Sequence, residues 1–305
     1  MAEIQNNSIK VCLACDDNYS KYAGVVIASV LANSAVDDEL DFYILDGGIS
    51  EEHKSQINEL KSIKQCNISF VQIDSSMFED FTKIKTHSYI SIATYYRLKL
   101  PSLLPNIDKI IYFDCDMVVN HSLKELFNTD ISDYYMAGVH DIKEKMVKIN
   151  PTYVNAGMLI FNLKLMRENN IEEKLYKWTV EHIDTIKTGD QEILNEVLKG
   201  RIKVIDDEWN VQSSNFTNRS SYTHNPKVVH YVARKKPWHF GSFSFHRDLY
   251  FKYLQLTPWK LSEKDYKHWT RDNQLVSLFK YLQYRPLFLF RPKFYKAVYH
   301  TYIKK

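Results

Sequence analysis

Two carboxylates stand two residues apart at the end of an apolar run, in Ile110-Ile111-Tyr112-Phe113-Asp114-Cys115-Asp116. On an extended segment, side chains at i and i+2 point the same way. Two like charges held that close repel, so they usually share a cation. Hard oxygen ligands suit Mg2+ or Mn2+, ions that normally complete their shells with substrate phosphates. The plainer reading is a strand-end turn, because Asp is common in turns. A borderline ion such as Mn2+ also accepts an imidazole, and His230 lies near the end of the apolar stretch Val228-Val229-His230-Tyr231. A lone strand histidine is more often structural than ligating. The segment that follows, Lys235-Lys236-Pro237-Trp238-His239, places cations nearby. A lysine there would neutralise a departing diphosphate.

Other candidates are weaker singly. Asp190, in Thr188-Gly189-Asp190-Gln191-Glu192, opens a helical pattern and serves equally as a cap or first-turn acid. Asn155-Ala156-Gly157 precedes an apolar run and reads as an ordinary turn. Arg97 follows Tyr95 and Tyr96 in a helical pattern and fits a surface position.

These residues need elements to position them. Residues 11–15, 40–45, 68–73 and 109–113 read as strands, and 22–33, 51–64 and 92–100 as helices. Ser50 is the expected cap of the second helix, and Pro101 the expected stop of the third. Strands alternating with helices predict βαβ units and a mostly parallel sheet. Such sheets bind ligands beyond the carboxyl ends of their strands, which is where Asp16-Asp17-Asn18 and Asp114-Cys115-Asp116 fall. Further on, 136–139, 156–161 and 228–231 read as strands, 164–187 as one long helical stretch and 190–199 as a shorter helix.

The bulk composition suits one large α/β domain with an appendage. The chain has 305 residues, 45% of them hydrophobic and 25% charged, which allows a substantial core without staples. A net charge of +3 is too small to argue for nucleic acid, and none is expected as a partner. Cys12, Cys15, Cys66 and Cys115 are too few and scattered for a disulfide framework. Cys12 and Cys15 have C-x-x-C spacing, but residues three apart on a strand face opposite ways, so buried thiols are expected. The start of the chain lacks the apolar core of a signal peptide and no stretch is apolar enough to span a membrane, so a cytoplasmic protein is expected. Sequons such as Asn67-Ile68-Ser69 and Asn215-Phe216-Thr217 then carry no meaning for glycosylation.

In order, the chain reads A-x-D-D-N-Y from Ala14, T-Y-x-R-L-K-L from Thr94, Y-x-D-x-D from Tyr112, N-A-G-x-L-x-x-N-L from Asn155, D-Q-x-I-L-N from Asp190 and H-Y…K-P-W-H from His230. This order and spacing, over about residues 10–240, resembles glycosyltransferase family 8, most closely the bacterial lipooligosaccharide galactosyltransferases and glucosyltransferases. The resemblance implies a GT-A fold, a Rossmann-like mixed sheet flanked by helices, in a domain spanning 8–245. It implies a divalent metal, Mn2+ or else Mg2+, held by Asp114, Asp116 and His230. Asp16, Asn18 and Tyr19 resemble the uridine-contacting loop, and Lys236 the diphosphate lysine. Thr94, Arg97, Asp141, Asn155, Asp190 and Gln191 fall where the family holds its donor sugar, with Asp190 and Gln191 in the catalytic positions. Two departures stand out. The family has a glycine shortly after the metal histidine, where this chain has Ala233 and Arg234. The segment from Asp141 to Asn155 is also short, so the acceptor does not carry over.

The implied reaction is retaining transfer of galactose or glucose from UDP-galactose or UDP-glucose to a saccharide acceptor, in lipopolysaccharide or lipooligosaccharide synthesis. Front-side attack is favoured over double displacement, because the Gln191 amide is a poor nucleophile. Asp114→Ala or Asp116→Ala is expected to abolish turnover with little effect on the fold. Beyond 245 an appendage of 246–305 is expected, aromatic and basic, with Asp272 the last acidic residue. Its end, from Gln274, suits attachment to an anionic membrane surface at the inner face of the cell membrane, bringing the enzyme to a lipid-linked acceptor. A helix packed on the domain is the alternative for that tail. A sugar nucleotidyltransferase would want a Gly-rich phosphate loop near the start, and residues 12–20 hold no glycine. The remaining rival is a non-catalytic nucleotide-sugar-binding or stress-related protein that kept the fold.

Overall fold

The computed structural model of the chain describes residues 8–84, 91–142, 144–213, 225–239, 242, 244, 246–272, 279, 282 and 286–299. The sequon at 215–217 lies outside the described residues, as does part of the tail from Gln274. In chain order the strands are β1 Ile9–Cys15, β2 Leu40–Asp46, β3 Asn67–Gln72, β4 Lys109–Phe113, β5 Met117–Val119, β6 Met136–His140, β7 Val154–Asn162, β8 Ile202–Val204, β9 Val211–Ser213 and β10 Val228–Tyr231.

Seven of them form the main sheet in the order β3-β2-β1-β4-β7-β6-β8. The pairs β1–β2, β1–β4, β2–β3 and β6–β8 are parallel. β7 runs antiparallel between β4 and β6, so the sheet is mixed rather than simply parallel. Both faces are covered, which explains the unbroken apolar runs. Along β1, Val11, Leu13 and Cys15 enter the core under the helix Ser20–Asn33, while Cys12 and Ala14 enter the core shared with Tyr95, Leu98 and Tyr112. Cys12 and Cys15 thus face opposite sides, and all four thiols are free and buried.

A smaller sheet, β5-β10-β9, stands beside the end of β4. β10 pairs antiparallel with β5, setting His230 opposite Met117, one residue after Asp116. The two acids and the imidazole, over a hundred positions apart in sequence, are neighbours because of that pairing.

Two helices differ from their sequence patterns. Pro101 does not stop a helix. The stretch Ile92–Lys99 winds as tighter 3-10 turns, and Pro101 sits near the start of the short α-helix Leu100–Leu103, where its missing N–H costs nothing. The long stretch after residue 163 is two helices, Leu163–Glu168 and Ile171–Glu181, separated at Asn170 with φ of 50°. Asn tolerates that left-handed conformation better than most residues.

Beyond 245 the chain first returns to the core. In the helix Arg247–Leu254, Tyr250, Phe251, Tyr253 and Leu254 are buried with Val25, Val118, Val229 and Tyr231. Tyr253 Oη donates to Asn120 Oδ1 at 2.6 Å and accepts from Asn33 Nδ2 at 2.8 Å. Trp259 fills the notch at Gly24, where an added Cβ would lie 2.3 Å from its ring. Further on the character changes: Phe279, Leu287, Phe290 and Tyr295 are exposed. Among the described residues no helix is long and apolar enough to cross a membrane.

Candidate active site

At the carboxyl ends of β1 and β4 opens a cavity of about 690 Å3. Its wall includes Asp16, Tyr19, Thr94, Arg97, Asp114, Asp116, Asp141, Asn155, Asp190, Gln191, His230 and Lys236. Of the residues expected from the sequence, Asn18 alone is not in that wall; it is exposed on the 3-10 turn Asp17–Tyr19.

The floor is the carboxylate pair with the imidazole. Ligating atoms of Asp114, Asp116 and His230 lie within 4.8 Å of one another. His230 Nε2 is 3.2 Å from Asp116 Oδ1 and 4.0 Å from Asp114 Oδ2. The Lys236 ammonium donates to Asp116 Oδ2 and, at 2.8 Å, to the carbonyl of Tyr231. Burial alone would raise the Asp116 carboxyl, but Lys236 and His230 outweigh it and hold the group well below the usual carboxylate range. Among the described residues Asp116 Oδ1 is nonetheless buried with no hydrogen-bond partner. A buried anionic oxygen left open beside an imidazole and a second carboxylate is the donor set a divalent cation needs. The residues present fit such an ion.

Backbone pairing sets the next layer. Asp114 N donates to Gly157 O at 2.8 Å, which brings Asn155-Ala156-Gly157 alongside the acids. Gly157 has to be glycine: a Cβ there would lie 2.2 Å from His230 Cε1. Arg97, 2% exposed, lies under this layer. It pairs with Asp114 at 2.6 Å and Asp190 at 3.2 Å, donates to Ala156 O and stacks 4.1 Å over the Tyr112 ring. Arg97 is therefore not a surface residue. Because it is buried against Asp114, that acid also holds the fold together, and Asp114→Ala cannot be structurally silent. Desolvation at the cavity floor raises the Asp114 carboxyl against the pull of Arg97. Burial pushes Asp190 up to about 6, with Arg97 opposing and Asp114 adding to the shift.

On the far wall Gln191 Nε2 donates to Asp141 Oδ2 at 2.9 Å, and Gln191 Oε1 accepts from Ala156 N and Asn155 Nδ2, each at 3.1 Å. Asn195, in the same motif, serves a different end. It accepts from Val154 N at 2.8 Å and donates to Val154 O at 2.9 Å, docking the helix Asp190–Val197 onto β7 like an extra strand. Sequence reasoning missed Asn210 and Gln212. Gln212 donates to His140 O at 2.8 Å and accepts from Ile142 N at 3.3 Å, which frames Asp141. Asn210 touches His230. Neither carries a signal in sequence, because each sits on an element three or four residues long.

The loop after β1 is held from outside. Asp17 accepts from Ser50 N at 2.8 Å and contacts His53 Nδ1 at 2.6 Å, tying the loop to the helix Glu51–Glu59. Asp16 accepts from Tyr19 N at 3.1 Å. The departure after His230 also resolves: Ala233 lines the cavity with φ of 70°, so the alanine adopts the glycine-favoured backbone.

Comparison with known proteins gives the same picture. Residues 10–241 match the model of glycosyl transferase family 8, and the chain belongs to that family. General stress protein A of Bacillus subtilis is 30% identical over 279 residues, covering 84% of this chain and 96% of that protein. The lipopolysaccharide 1,2-glucosyltransferase of Escherichia coli is 26% identical, covering 93% and 88%. The crystal structure of galactosyltransferase LgtC with donor and acceptor sugar analogues is 28% identical, with a TM-score of 0.72 over 84% of this chain and 98% of that one. The fold is the GT-A fold.

Proposed function

We propose that this family 8 glycosyltransferase moves galactose or glucose from a UDP-sugar to a saccharide acceptor, retaining the anomeric configuration. One observation carries the reading: Asp114, Asp116 and His230 converge on the floor of the cavity with Lys236 beside them. Those three would hold the divalent ion, with Mn2+ favoured by the imidazole. Bound there, it would supply Lewis-acid stabilisation of charge on the diphosphate. Lys236 adds a positive charge on the same side, aimed where charge grows as the glycosidic bond breaks. Asp16 and Tyr19 take the uridine. Thr94, Arg97, Asp141, Asn155, Asp190 and Gln191 take the hexose.

The contacts of Gln191 bear on the route. Its Oε1 is already committed to two donors, Ala156 N and Asn155 Nδ2. An amide oxygen so engaged is a poor nucleophile, which favours front-side attack with the leaving phosphate taking the acceptor's proton. A trapped glycosyl adduct on Gln191 or Asp190 would overturn that route.

The Escherichia coli relative's name supports a lipopolysaccharide-type acceptor. The exposed Phe279, Leu287, Phe290 and Tyr295, in a stretch whose sequence also carries Arg285 and Arg291, support attachment to an anionic lipid surface at the membrane's inner face. Truncation after Asp272 spares Trp259 and the residues packed around it. The truncated protein is expected to lose co-sedimentation with anionic liposomes, and retained binding would exclude the tail as anchor.

The deciding experiment is a donor screen that follows UDP release with Mn2+, with and without saccharide acceptors. Release from UDP-galactose or UDP-glucose, lost in EDTA, is the expected result. No release from any nucleotide sugar would instead favour a non-catalytic binding protein.

A further inference from the structure

The two ends of a carboxamide look alike, so the sense of a hydrogen-bond network containing them has to be anchored by groups that can only donate. Two backbone amides do this here. Gly157 N donates to Asn155 Oδ1 at 3.0 Å, which makes that atom the oxygen. The same oxygen contacts one end of the Asn210 amide at 3.0 Å, so that end is the NH2 group. The other end, Asn210 Oδ1, faces His230 Nδ1 at 3.2 Å. An amide oxygen can only accept, so Nδ1 is the ring nitrogen that carries a proton toward Asn210. His230 Nε2 faces Asp114 and Asp116, so a cation held between those acids would meet its lone pair while Nδ1 keeps the proton. Ala156 N, donating to Gln191 Oε1, is a second anchor that fixes the same sense on the far side of Asn155.

We infer that Asn210 is a positioning residue of the cation site: it holds His230 in the Nδ1–H tautomer, with a hydrogen-bond sense inherited from Gly157 N–H. The inference rests on the reading of His230 as a cation ligand. Asn210 is 1% exposed and ends the 3-10 turn Asp207–Asn210, where the parallel pairing of β9 with β10 brings it beside the imidazole. Partners of this kind orient a ligating histidine and fix its tautomer. Gly157 serves twice, since its N–H sets the sense of the chain and its missing Cβ leaves room for the ring.

The first test needs no substitution. Protein carrying 15N-labelled histidine and loaded with diamagnetic Mg2+ is expected to show His230 protonated on Nδ1. A proton on Nε2 would overturn the inference outright. The second test titrates Mn2+ alone into native protein and Asn210→Ala, following free ion by EPR. The variant is expected to bind about 10- to 100-fold more weakly. Asn210→Asp, which still accepts from Nδ1, is expected to fall closer to native than Asn210→Ala. Native binding with an unchanged Asn210→Ala would sink this inference and leave the cation site standing. Native protein that binds no Mn2+ would remove the cation site and the inference together.

Discussion

On one wall of the cavity Arg97, Asp141, Asn155, Asp190 and Gln191 are tied to one another and to the backbone of β7. On the other, the loop after β1 offers Asp16, which is half-buried, and Tyr19, which is 37% exposed. The first wall is held by its own ion pairs and hydrogen bonds, at the expense of burying charged groups. The second is clamped from behind by Asp17 and keeps its binding face open. A wired wall suits discrimination among sugar hydroxyls, where a displaced hydrogen bond is costly. An open aromatic face suits a flat base, whose recognition tolerates adjustment.

Substitutions can break this contrast in a graded way. Asp116→Ala removes the open carboxylate at the floor. Transfer is expected to fall by about a thousandfold or more in steady-state assays, the upper range for loss of one aimed electrostatic group. Arg97→Leu attacks the wired wall itself. It strands Asp114 and Asp190, and chemical denaturation is expected to show a loss of about 3–5 kcal/mol. A variant of native stability would mean that these pairs do not hold the wall. Gln191→Ala cuts the network only at its cavity edge. Turnover is expected to fall roughly a hundredfold, by misplacement of the sugar, with UDP affinity unchanged. Equal losses in both would erase the distinction between the walls. Tyr19→Ala on the open wall has the smallest effect. UDP affinity is expected to weaken about fivefold, near 1 kcal/mol for one base stacked on an aromatic ring, with turnover unaffected.

How much of this could be read from residues alone follows the same division. Acids at strand ends are visible because buried parallel strands are long apolar runs and an acid marks where each one stops. Asp16, Asp114 and Asp116 were legible for that reason. Arg97 was recognisable by motif but not by environment. Its helical pattern suggested a surface, while the tight 3-10 winding of Ile92–Lys99 turns it inward over Tyr112. Asn210 and Gln212 were invisible, since the short elements that carry them exist only through pairing with β10 and contact with β6. Asn195 was conspicuous for the wrong reason: it belongs to the motif that opens at Asp190 and spends its amide on Val154 and the Gln191 carbonyl.

The notch at Gly24 has a consequence for how the protein is born. The residue that fills it, Trp259, lies 235 positions downstream, and the rings that cover the neighbouring Val25 come from 250–254. A ribosome exposes the amino-terminal helix long before those rings leave the exit tunnel. Until then one flank of that helix is bare apolar surface, and His230 and Lys236 are equally absent from the floor. The nascent domain therefore closes its core and completes the floor of its cavity within the same late stretch of synthesis, and a chain released early would be sticky and unfinished together.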